Sequence, residues 1–459
     1  MSALWTHIDA ANATGGKAVG DWSVNGLSID TRSLKNGDLF IPLKDIRDGH
    51  DFIPMALEKG AGAVISEHPI TDAPALIVED SLKALEDLAI AARKRSGATR
   101  IAITGSVGKT SVKEMIAHIC RAVGQTHNSI KSFNNHWGVP FTLAGMAKDT
   151  EYGVFEMGMN HAGELAALTK IVRPNIAVVT KVAPAHLAHF NSVADIAKAK
   201  AEILSGLADS GMAILPKDSD YFDVLRTHCQ GEWQSFGWCA RADAQILVSR
   251  QTAHGSVSTI HIAGREYEVN LPIAGAHWVE NAACALLAVH SANIDLDSAV
   301  KALKTLPNIQ GRGEVHALSI KGKSVILIDE SYNANPESMA AAIAVLGLNI
   351  GRKIAVFGDM LELGDGENAL HADLLEPIQS AKIDQVFTCG VRMKNLYNVL
   401  PKAVNAGWFS GHKKCLAGLL EQVQDGDTIM VKGSNASGMG KLVAALKTQQ
   451  TIKECAHAL

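Results

Sequence analysis

The sequence of 459 residues lacks the features that mark several large classes of protein. No apolar run approaches the ~20 residues that a membrane-spanning helix needs, and the N-terminus does not combine a cationic start with an apolar core. A block of basic residues is also absent, and the formal net charge is only -4. We therefore expect no membrane insertion and no nucleic acid partner.

Cysteine is sparse and follows no recognisable pattern. The seven cysteines are odd in number, are scattered along the chain and never form Cys-x-x-Cys. Disulfide frameworks are indicated by an even number of cysteines at characteristic spacings, and zinc sites by motifs such as Cys-x-x-Cys. The cysteines are expected to be reduced thiols of a cytoplasmic protein.

The length and the alternation of short strand-like and helical stretches predict an α/β protein of three domains. We place a small α/β domain at 1–98, a central parallel-sheet domain at 99–312 and a Rossmann-like domain at 313–459, with turn-rich breaks at 96–98 and 308–313. In the central domain both faces of the sheet should be covered by helices. The strands predicted there are 101–104, 153–156, 176–180 and 212–215.

Residues 101–111, which read Ile-Ala-Ile-Thr-Gly-Ser-Val-Gly-Lys-Thr-Ser, have the pattern of a phosphate-binding loop between a strand and a helix. Two glycines allow backbone N–H groups to face an anion, the lysine supplies positive charge, and the threonine offers a hydroxyl to magnesium. The general P-loop would require glycine at position 103, which is isoleucine, so the shorter Gly-x-x-Gly-Lys-Thr form is present. The residues predicted to bind a nucleoside triphosphate are Thr104, Gly105, Ser106, Val107, Gly108, Lys109, Thr110 and Ser111.

A triphosphate site also needs ligands for a metal. Glu156 ends a predicted strand, so its carboxylate is expected at the sheet edge beside Thr110, the alternative being a strand end in solvent. His186 follows the next strand and reaches the same edge, but His161 and His189 are equal alternatives on the residues alone. The nearby Lys198 and Lys200 are expected to lie on a helix surface in solvent.

Five motifs occur in the order and spacing of one protein family. They are 103–111, Glu156-Met-Gly158, Ala185-His-Leu187, His277-x-x-x-Asn281 and Gly311-Arg312. On these motifs the sequence resembles the Mur ligases, ATP-dependent amino-acid ligases of peptidoglycan precursor synthesis, and the resemblance covers nearly the whole chain. The stretches that resemble the family member adding D-alanyl-D-alanine are 48–52, 134–140, 331–336 and 358–364.

The resemblance implies a reaction of ATP with a UDP-N-acetylmuramoyl-tripeptide and D-alanyl-D-alanine, with Mg²⁺ and an acyl-phosphate intermediate. It also implies a monomer in the cytoplasm. Another ligase of the same fold, such as a folylpolyglutamate type, is the alternative within the family. A P-loop kinase and a non-enzymatic nucleotide switch are the alternatives from other classes.

The resemblance also assigns roles residue by residue. The implied catalytic residues are Lys109, Glu156, His186, Lys200 and Arg312. The implied metal ligands are Thr110, Glu156, His186 and Lys200, the last if it is carbamylated and if Lys198 is not the lysine concerned.

For the nucleotide, the resemblance adds contacts outside the phosphate loop. These residues are His277, Asn281, Arg312 and Glu330, the last being a glutamate where the family usually has aspartate. The residues implied for the UDP-peptide substrate are Ser28, Asp30, Arg32, Asn134 and Asn135.

Overall fold

The computed structural model describes residues 3–130, 132–184 and 190–449 of the chain. Within these ranges the strands form four β-sheets, of two, five, nine and six strands. Each of the three larger sheets takes its strands from one continuous stretch of sequence, and helices pack against it. The predicted α/β class with three sheet-bearing units is therefore confirmed, whereas the exact boundaries stay a prediction.

The N-terminal unit is built on a five-stranded sheet in the order β2-β7-β6-β5-β4, parallel except for the β2/β7 pair. A small β1/β3 ribbon lies beside it. The strands are β1 Trp5–Thr6, β2 Lys17–Val19, β3 Ser23–Val24, β4 Gly26–Ser28, β5 Asp38–Phe40, β6 Ala63–Ser66 and β7 Ala75–Ile77. The helices are α1 His7–Thr14, α2 Ile53–Glu58 and α3 Ser81–Arg95.

The central unit contains the nine-stranded sheet, in the order β16-β15-β14-β13-β12-β11-β8-β10-β9. Its strands are β8 Thr99–Thr104, β9 Thr126–Asn128, β10 Tyr152–Glu156, β11 Ile176–Val179, β12 Met212–Pro216, β13 Glu232–Gly237, β14 Ala244–Thr252, β15 Gly255–Ile262 and β16 Arg265–Leu271. Its helices are α4 Lys109–Arg121, α5 Gly138–Ala144, α6 Glu164–Val172, α7 Val193–Ala201, α8 Phe222–His228, α9 Ala276–Ser291 and α10 Leu296–Leu303.

The four strands predicted for the central unit are confirmed to within two residues at each end, but the expectation of a wholly parallel sheet is wrong. Strands β14, β15 and β16 pair antiparallel as a ribbon at one edge. The turn between β15 and β16 is formed by Ala263 and Gly264, both with positive φ, 53° and 78°. Such two-residue turns connect only antiparallel strands, which is why the parallel pattern ends here.

The C-terminal unit is a six-stranded sheet in the order β17-β18-β22-β19-β20-β21, parallel except for the β17/β18 hairpin. Its strands are β17 Glu314–Ile320, β18 Lys323–Glu330, β19 Lys353–Gly358, β20 Gln385–Cys389, β21 Asn405–Phe409 and β22 Thr428–Lys432. Its helices are α11 Pro336–Gly347, α12 Glu367–Ala372, α13 Leu375–Ser380, α14 Lys394–Val399, α15 His412–Gln422 and α16 Met439–Thr448. Asn335 caps α11 by accepting from the Ser338 N–H, as the Asn-Pro-Glu sequence there predicts.

The N-terminal and central units are packed directly on each other. Helix α3 lies against α5, and the Trp5 indole N–H donates to the carbonyl of Ala144 at 3.0 Å. The Arg95 guanidinium covers the Trp5 ring at 3.9 Å from its centroid. No helix within the described ranges combines the length and apolar character that crossing a bilayer requires.

The topology of the central sheet places several chemically active residues at one edge. Strands β8, β10 and β11 are parallel neighbours, and Glu156 at the end of β10 pairs in register with Ile103 on β8. The carboxyl ends of such strands form the crevice in which open α/β sheets bind ligands. The phosphate loop that follows β8 therefore opens into this crevice.

Candidate active site

The phosphate loop connects β8 to α4 through two glycines that no other residue could replace without strain. Gly105 and Gly108 have φ values of 154° and 84°. A Cβ on Gly105 would lie 1.9 Å from the Thr180 hydroxyl, and one on Gly108 would lie 2.7 Å from the Asn281 amide oxygen. Helix α4 begins at Lys109 with no side-chain cap, so its N-terminus is available to an anion.

A cavity of about 660 Å³ opens at this loop. It is large enough for a nucleoside triphosphate, and its wall combines residues of the central and C-terminal units. Thr104 and Gly105 do not line it, and Thr104 is buried beneath the loop. The predicted site residues that do line it are Ser106, Val107, Gly108, Lys109, Thr110, Ser111, Asn134, Asn135, Glu156, His277, Asn281, Arg312 and Glu330.

Lys109 lies across the mouth of the loop. Its ammonium donates to the carbonyls of Gly105 at 2.6 Å and Ser106 at 3.4 Å. Burial lowers the pKa of Lys109; the carboxylate of Glu156 opposes this shift and the charge of Arg312 adds to it. A phosphate group in the cavity would accept from this ammonium and favour its charged form.

Glu156 is buried at 1% exposure, so the alternative of a strand end in solvent is wrong. Its Oε1 accepts from the Asn134 amide at 2.7 Å, whereas Oε2 is buried with no hydrogen-bond partner among the described residues. A buried carboxylate oxygen without a partner is costly unless a cation meets it. A carboxylate and the Thr110 hydroxyl are hard oxygen donors of the kind that Mg²⁺ prefers, so these residues fit a magnesium ion.

Arg312 brings the C-terminal part of the chain to the phosphate loop. Its Nη2 donates to Thr110 Oγ1 at 3.0 Å, and its guanidinium lies 4.4 Å from the centroid of the Tyr332 ring. The Tyr332 hydroxyl in turn donates to Ser132 Oγ at 2.6 Å. The positive charge of Arg312 thus faces the place where terminal phosphates would lie.

Lys200 is buried at 2% exposure, which contradicts the expectation of a solvated helix surface. The reason is that α7 is covered on this side, where Ile196 and Ala197, one turn earlier on the same face, are also buried. Burial, with a contribution from the charge of Lys109, lowers the pKa of Lys200 well below its ordinary value. Lys198, in contrast, is exposed and pairs with Asp195 at 3.3 Å.

Of the candidate histidine ligands, only one falls within the described residues. His186 and His189 lie outside them. His161 is exposed, pairs with Glu164 at 3.0 Å and does not line the cavity. His161 is therefore not in a position to serve as a metal ligand in this cavity.

The far end of the cavity is formed by the start of α9 and the ends of β18 and β22. Burial lowers the pKa of His277 to about 4, so its imidazole is neutral near pH 7. Glu330 accepts from the Lys432 ammonium at 3.2 Å. Lys181 is flanked by Glu280, at 3.8 Å, and by Glu337, with which it forms a close ion pair.

A second cavity of about 770 Å³ lies between the N-terminal unit and the central unit. Asp30 and Arg32 line it, and they form an ion pair at 2.6 Å in which the Arg32 hydrogen bond lowers the pKa of Asp30. Ser28 is buried and bonds to the backbone of Asp30 instead of facing the cavity. The residues that line both cavities are Ser132, Asn134 and Asn135.

Comparison with known proteins decides the family. The family model described as "Mur ligase middle domain" matches residues 103–289, and "Mur ligase, glutamate ligase domain" matches residues 311–435. The UDP-N-acetylmuramoyl-tripeptide--D-alanyl-D-alanine ligase of Escherichia coli (strain K12) is 36% identical over 440 residues, covering 94% of this chain and 95% of its own. The chain belongs to the Mur ligase family.

Solved structures place this Mur ligase beside the MurF members. MurF from Acinetobacter baumannii superposes with a TM-score of 0.86 at 30% identity, covering 97% of this chain and 99% of its own. The MurF ligase from Thermotoga maritima, solved in complex with ADP, superposes with a TM-score of 0.79 at 25% identity and covers 93% and 98%. Like the family, the chain uses ATP.

Several residues of this Mur ligase site were not assigned a role from sequence. Lys181, Tyr332 and Lys432 line the triphosphate cavity, and Ser132 lines both cavities. Tyr332 and Ser132 lie within or beside motifs that were recognised, which is the only signal that pointed to them. Lys181 meets Glu337 across two units, and Lys432 meets Glu330 across two strands of one sheet, and no local pattern encodes either contact.

Proposed function

We propose that this Mur ligase joins D-alanyl-D-alanine to the terminal carboxylate of a UDP-N-acetylmuramoyl-tripeptide, converting ATP to ADP and phosphate. The observation that carries the proposal is the wall that the two cavities share, formed by Ser132, Asn134 and Asn135. A tripeptide anchored through its nucleotide in one cavity reaches past these residues to a triphosphate in the other.

In the first step a carboxylate oxygen of the tripeptide attacks the γ-phosphate, and the bond between that phosphorus and the ADP oxygen breaks. Both reactants are anions, so the protein must neutralise charge and hold them in line. Lys109 and Arg312 supply two positive charges at the phosphate loop, and the α4 N-terminus supplies backbone donors.

We assign the first magnesium ion to Thr110 and Glu156, because the free Glu156 oxygen is the group that lacks a partner. Bound magnesium supplies positive charge to the phosphate oxygens. His186 is proposed as a ligand of a second ion. Lys200, once its neutral amine has added carbon dioxide and lost a proton, would present a carboxylate-like group to that ion.

In the second step the amine of D-alanyl-D-alanine attacks the acyl carbon and gives up a proton, and the phosphate leaves with the oxygen that links it to that carbon. Tyr332 of the C-terminal unit lines the cavity next to Arg312, at the end where the terminal phosphate would lie. The dipeptide is therefore proposed to enter from that end. Departure of phosphate leaves the new amide in place.

In the second cavity we assign the uridine diphosphate to the segment that contains Ser28, Asp30 and Arg32. The Arg32 guanidinium is largely exposed, so its pairing with Asp30 leaves N–H donors for a diphosphate. Ser28 acts there through the turn that it closes at Asp30. For ATP, His277 and Asn281 are assigned to the base and phosphates, and Glu330 to the ribose.

We place the three domains at 1–98, 99–312 and 313–459. The first contributes to the UDP-peptide cavity, the second contributes the phosphate loop, and the third contributes the part of the ATP cavity wall opposite that loop. One chain supplies residues to every part of the site, which supports a monomer. Substrates activated as a UDP derivative and as ATP support a reaction in the cytoplasm.

Release of inorganic phosphate tests the function. It should require ATP, UDP-tripeptide and D-alanyl-D-alanine together, because the acyl phosphate forms on one substrate and is consumed by the other. Equal release with L-alanine or a glutamate donor would contradict the proposal and favour another ligase of the same fold. Phosphate transferred to a stable acceptor would instead indicate a kinase.

A further inference from the structure

Four side chains from distant parts of the chain form a closed ring at the junction of the two cavities. Arg312 donates to Thr110 at 3.0 Å, and its guanidinium lies on the Tyr332 ring, 4.4 Å from the centroid. The Tyr332 hydroxyl donates to Ser132 at 2.6 Å, and the Ser132 and Thr110 hydroxyls are 3.5 Å apart. Tyr332 contacts Arg312 through its aromatic face and Ser132 through its hydroxyl, and Thr110 contacts the same two residues on the opposite side of the ring.

The backbone places Tyr332 here tightly. Its N–H donates to the carbonyl of Gly311 at 3.2 Å. Gly311 has φ 71°, and a Cβ there would lie 3.0 Å from the Cβ of Tyr332. The turn that carries Arg312 and the turn that carries Tyr332 are therefore in direct contact, and the ring meets the guanidinium without a flexible connection.

The way in which Arg312 is held matters for its charge. Within the described ranges no carboxylate forms an ion pair with it, and its contacts are a hydroxyl and an aromatic face. A carboxylate would fix the guanidinium but would neutralise it, whereas a π-face fixes it and leaves its positive charge available to an anion. This arrangement suits a residue that meets phosphate.

The hydroxyl of Tyr332 acts on a different element. Ser132 begins the segment 132–135, whose side chains form the wall between the cavities. In the same segment Asn134 donates to Glu156. A bond from Tyr332 to Ser132 thus ties the C-terminal unit to the segment that supports the proposed metal carboxylate.

We propose that Tyr332 is a positioning residue for phosphoryl transfer. Its ring holds Arg312 over the phosphate loop, and its hydroxyl holds Ser132 in the shared wall. The triphosphate cavity is then complete only when the C-terminal unit is docked on the central unit. The part of this inference that concerns turnover rests on the proposed ligase function, whereas the part that concerns nucleotide binding does not.

The contact between the Tyr332 ring and Arg312 is tested by a double-mutant cycle. The measured quantity is the affinity for a non-hydrolysable ATP analogue with Mg²⁺, determined by calorimetry. Tyr332→Ala should weaken binding roughly tenfold when Arg312 is present, the size expected for a partly buried cation–π contact. In an Arg312→Ala background the same change should have little effect. An equal loss in both backgrounds would mean that Tyr332 contacts the nucleotide directly, and it would overturn the proposal.

The test of the hydroxyl uses Tyr332→Phe and Ser132→Ala in the complete ligation assay. Each change should lower kcat about fivefold with KM for ATP nearly unchanged, and the double variant should be no slower than either single one. Additive losses would overturn the role of the hydrogen bond. Tyr397→Phe, on the distant helix α14, is the matched control and should leave kcat unchanged.

Thermal unfolding separates an effect on folding from an effect on function. Each variant should keep the thermal unfolding midpoint of the parent within a few degrees, since the four side chains lie in a cavity wall and not in a hydrophobic core. If the parent chain forms no ligation product, the proposed function fails, and the binding cycle still decides whether Tyr332 positions Arg312.

Discussion

Arg312 and Thr110 are 202 positions apart in sequence, yet the guanidinium Nη2 of one donates to the hydroxyl oxygen of the other at 3.0 Å. The contact joins the segment that follows α10 to the first turn of α4. As an acceptor from Arg312, the Thr110 oxygen still has a lone pair, and its own hydrogen is free to rotate. One hydroxyl can therefore receive an arginine and face a cation at the same time.

The buried Glu156 oxygen gives the first prediction. Glu156→Gln should weaken the binding of Mn²⁺ with an ATP analogue by more than about tenfold, because the ligand charge is lost while the shape is kept. Electron paramagnetic resonance of free Mn²⁺ measures this directly. The exposed Glu421→Gln is the control, and equal affinity in both variants would contradict the metal assignment.

Lys200 gives a prediction on covalent modification. Burial lowers the pKa of Lys200 well below its ordinary value and so favours the neutral amine, which should take up ¹³C-labelled bicarbonate as a carbamate. A ¹³C carbamate signal should be present near pH 8, absent in Lys200→Gln and retained in Lys198→Gln, whose lysine is exposed. The signal should fade as acid protonates the amine. A signal that disappears with Lys198 would reverse the assignment.

The ion pair between Lys181 and Glu337 joins the end of β11 to the start of α11. Burial alone would lower the pKa of Lys181, but Glu337 and Glu280 outweigh it and raise the pKa. Lys181→Glu should therefore open the cavity and raise KM for ATP roughly threefold to tenfold, and adding Glu337→Lys should restore most of the loss. The exposed Lys304→Glu should change nothing.

His277 predicts how stability depends on pH. Its pKa is about 4 in the folded protein against an ordinary value of 6.5, so the unfolded chain binds the proton first as pH falls. The protonation of His277 has no effect on the free energy of unfolding above pH 6.5. As the pH falls, it lowers that free energy, by roughly 2–3 kcal/mol near pH 4. Chemical denaturation should be measured above pH 6.5 and again near pH 4. Between these conditions the free energy of unfolding should drop less for His277→Gln than for the parent. His254→Gln, in an exposed turn, should behave like the parent.

The sequence predicted those features that are encoded locally. Strand ends at Thr104 and Glu156 follow from apolar runs, and the start of α11 follows from an asparagine cap and proline at one place. The phosphate loop needs glycines at fixed positions, so the sequence also predicts a phosphate-binding loop there.

The remaining features depend on contacts between segments. Nothing near Lys200 distinguishes it from Lys198, because burial is decided by what packs on α7. The contacts among Arg312, Tyr332 and Ser132 form where the units meet. A local sequence pattern does not predict contacts between residues so far apart in the chain. The antiparallel ribbon was missed since its alternating, partly exposed residues carry a weaker signal than a buried strand.

The central claim is that the tripeptide carboxylate becomes an acyl phosphate before the dipeptide amine attacks it. It is tested most directly with UDP-tripeptide labelled with ¹⁸O in both oxygens of the terminal carboxylate, incubated with ATP, Mg²⁺ and D-alanyl-D-alanine. Mass spectrometry should find one ¹⁸O in the inorganic phosphate and one in the new amide carbonyl of the pentapeptide. Pentapeptide formed together with unlabelled phosphate, or no pentapeptide at all, would contradict the account.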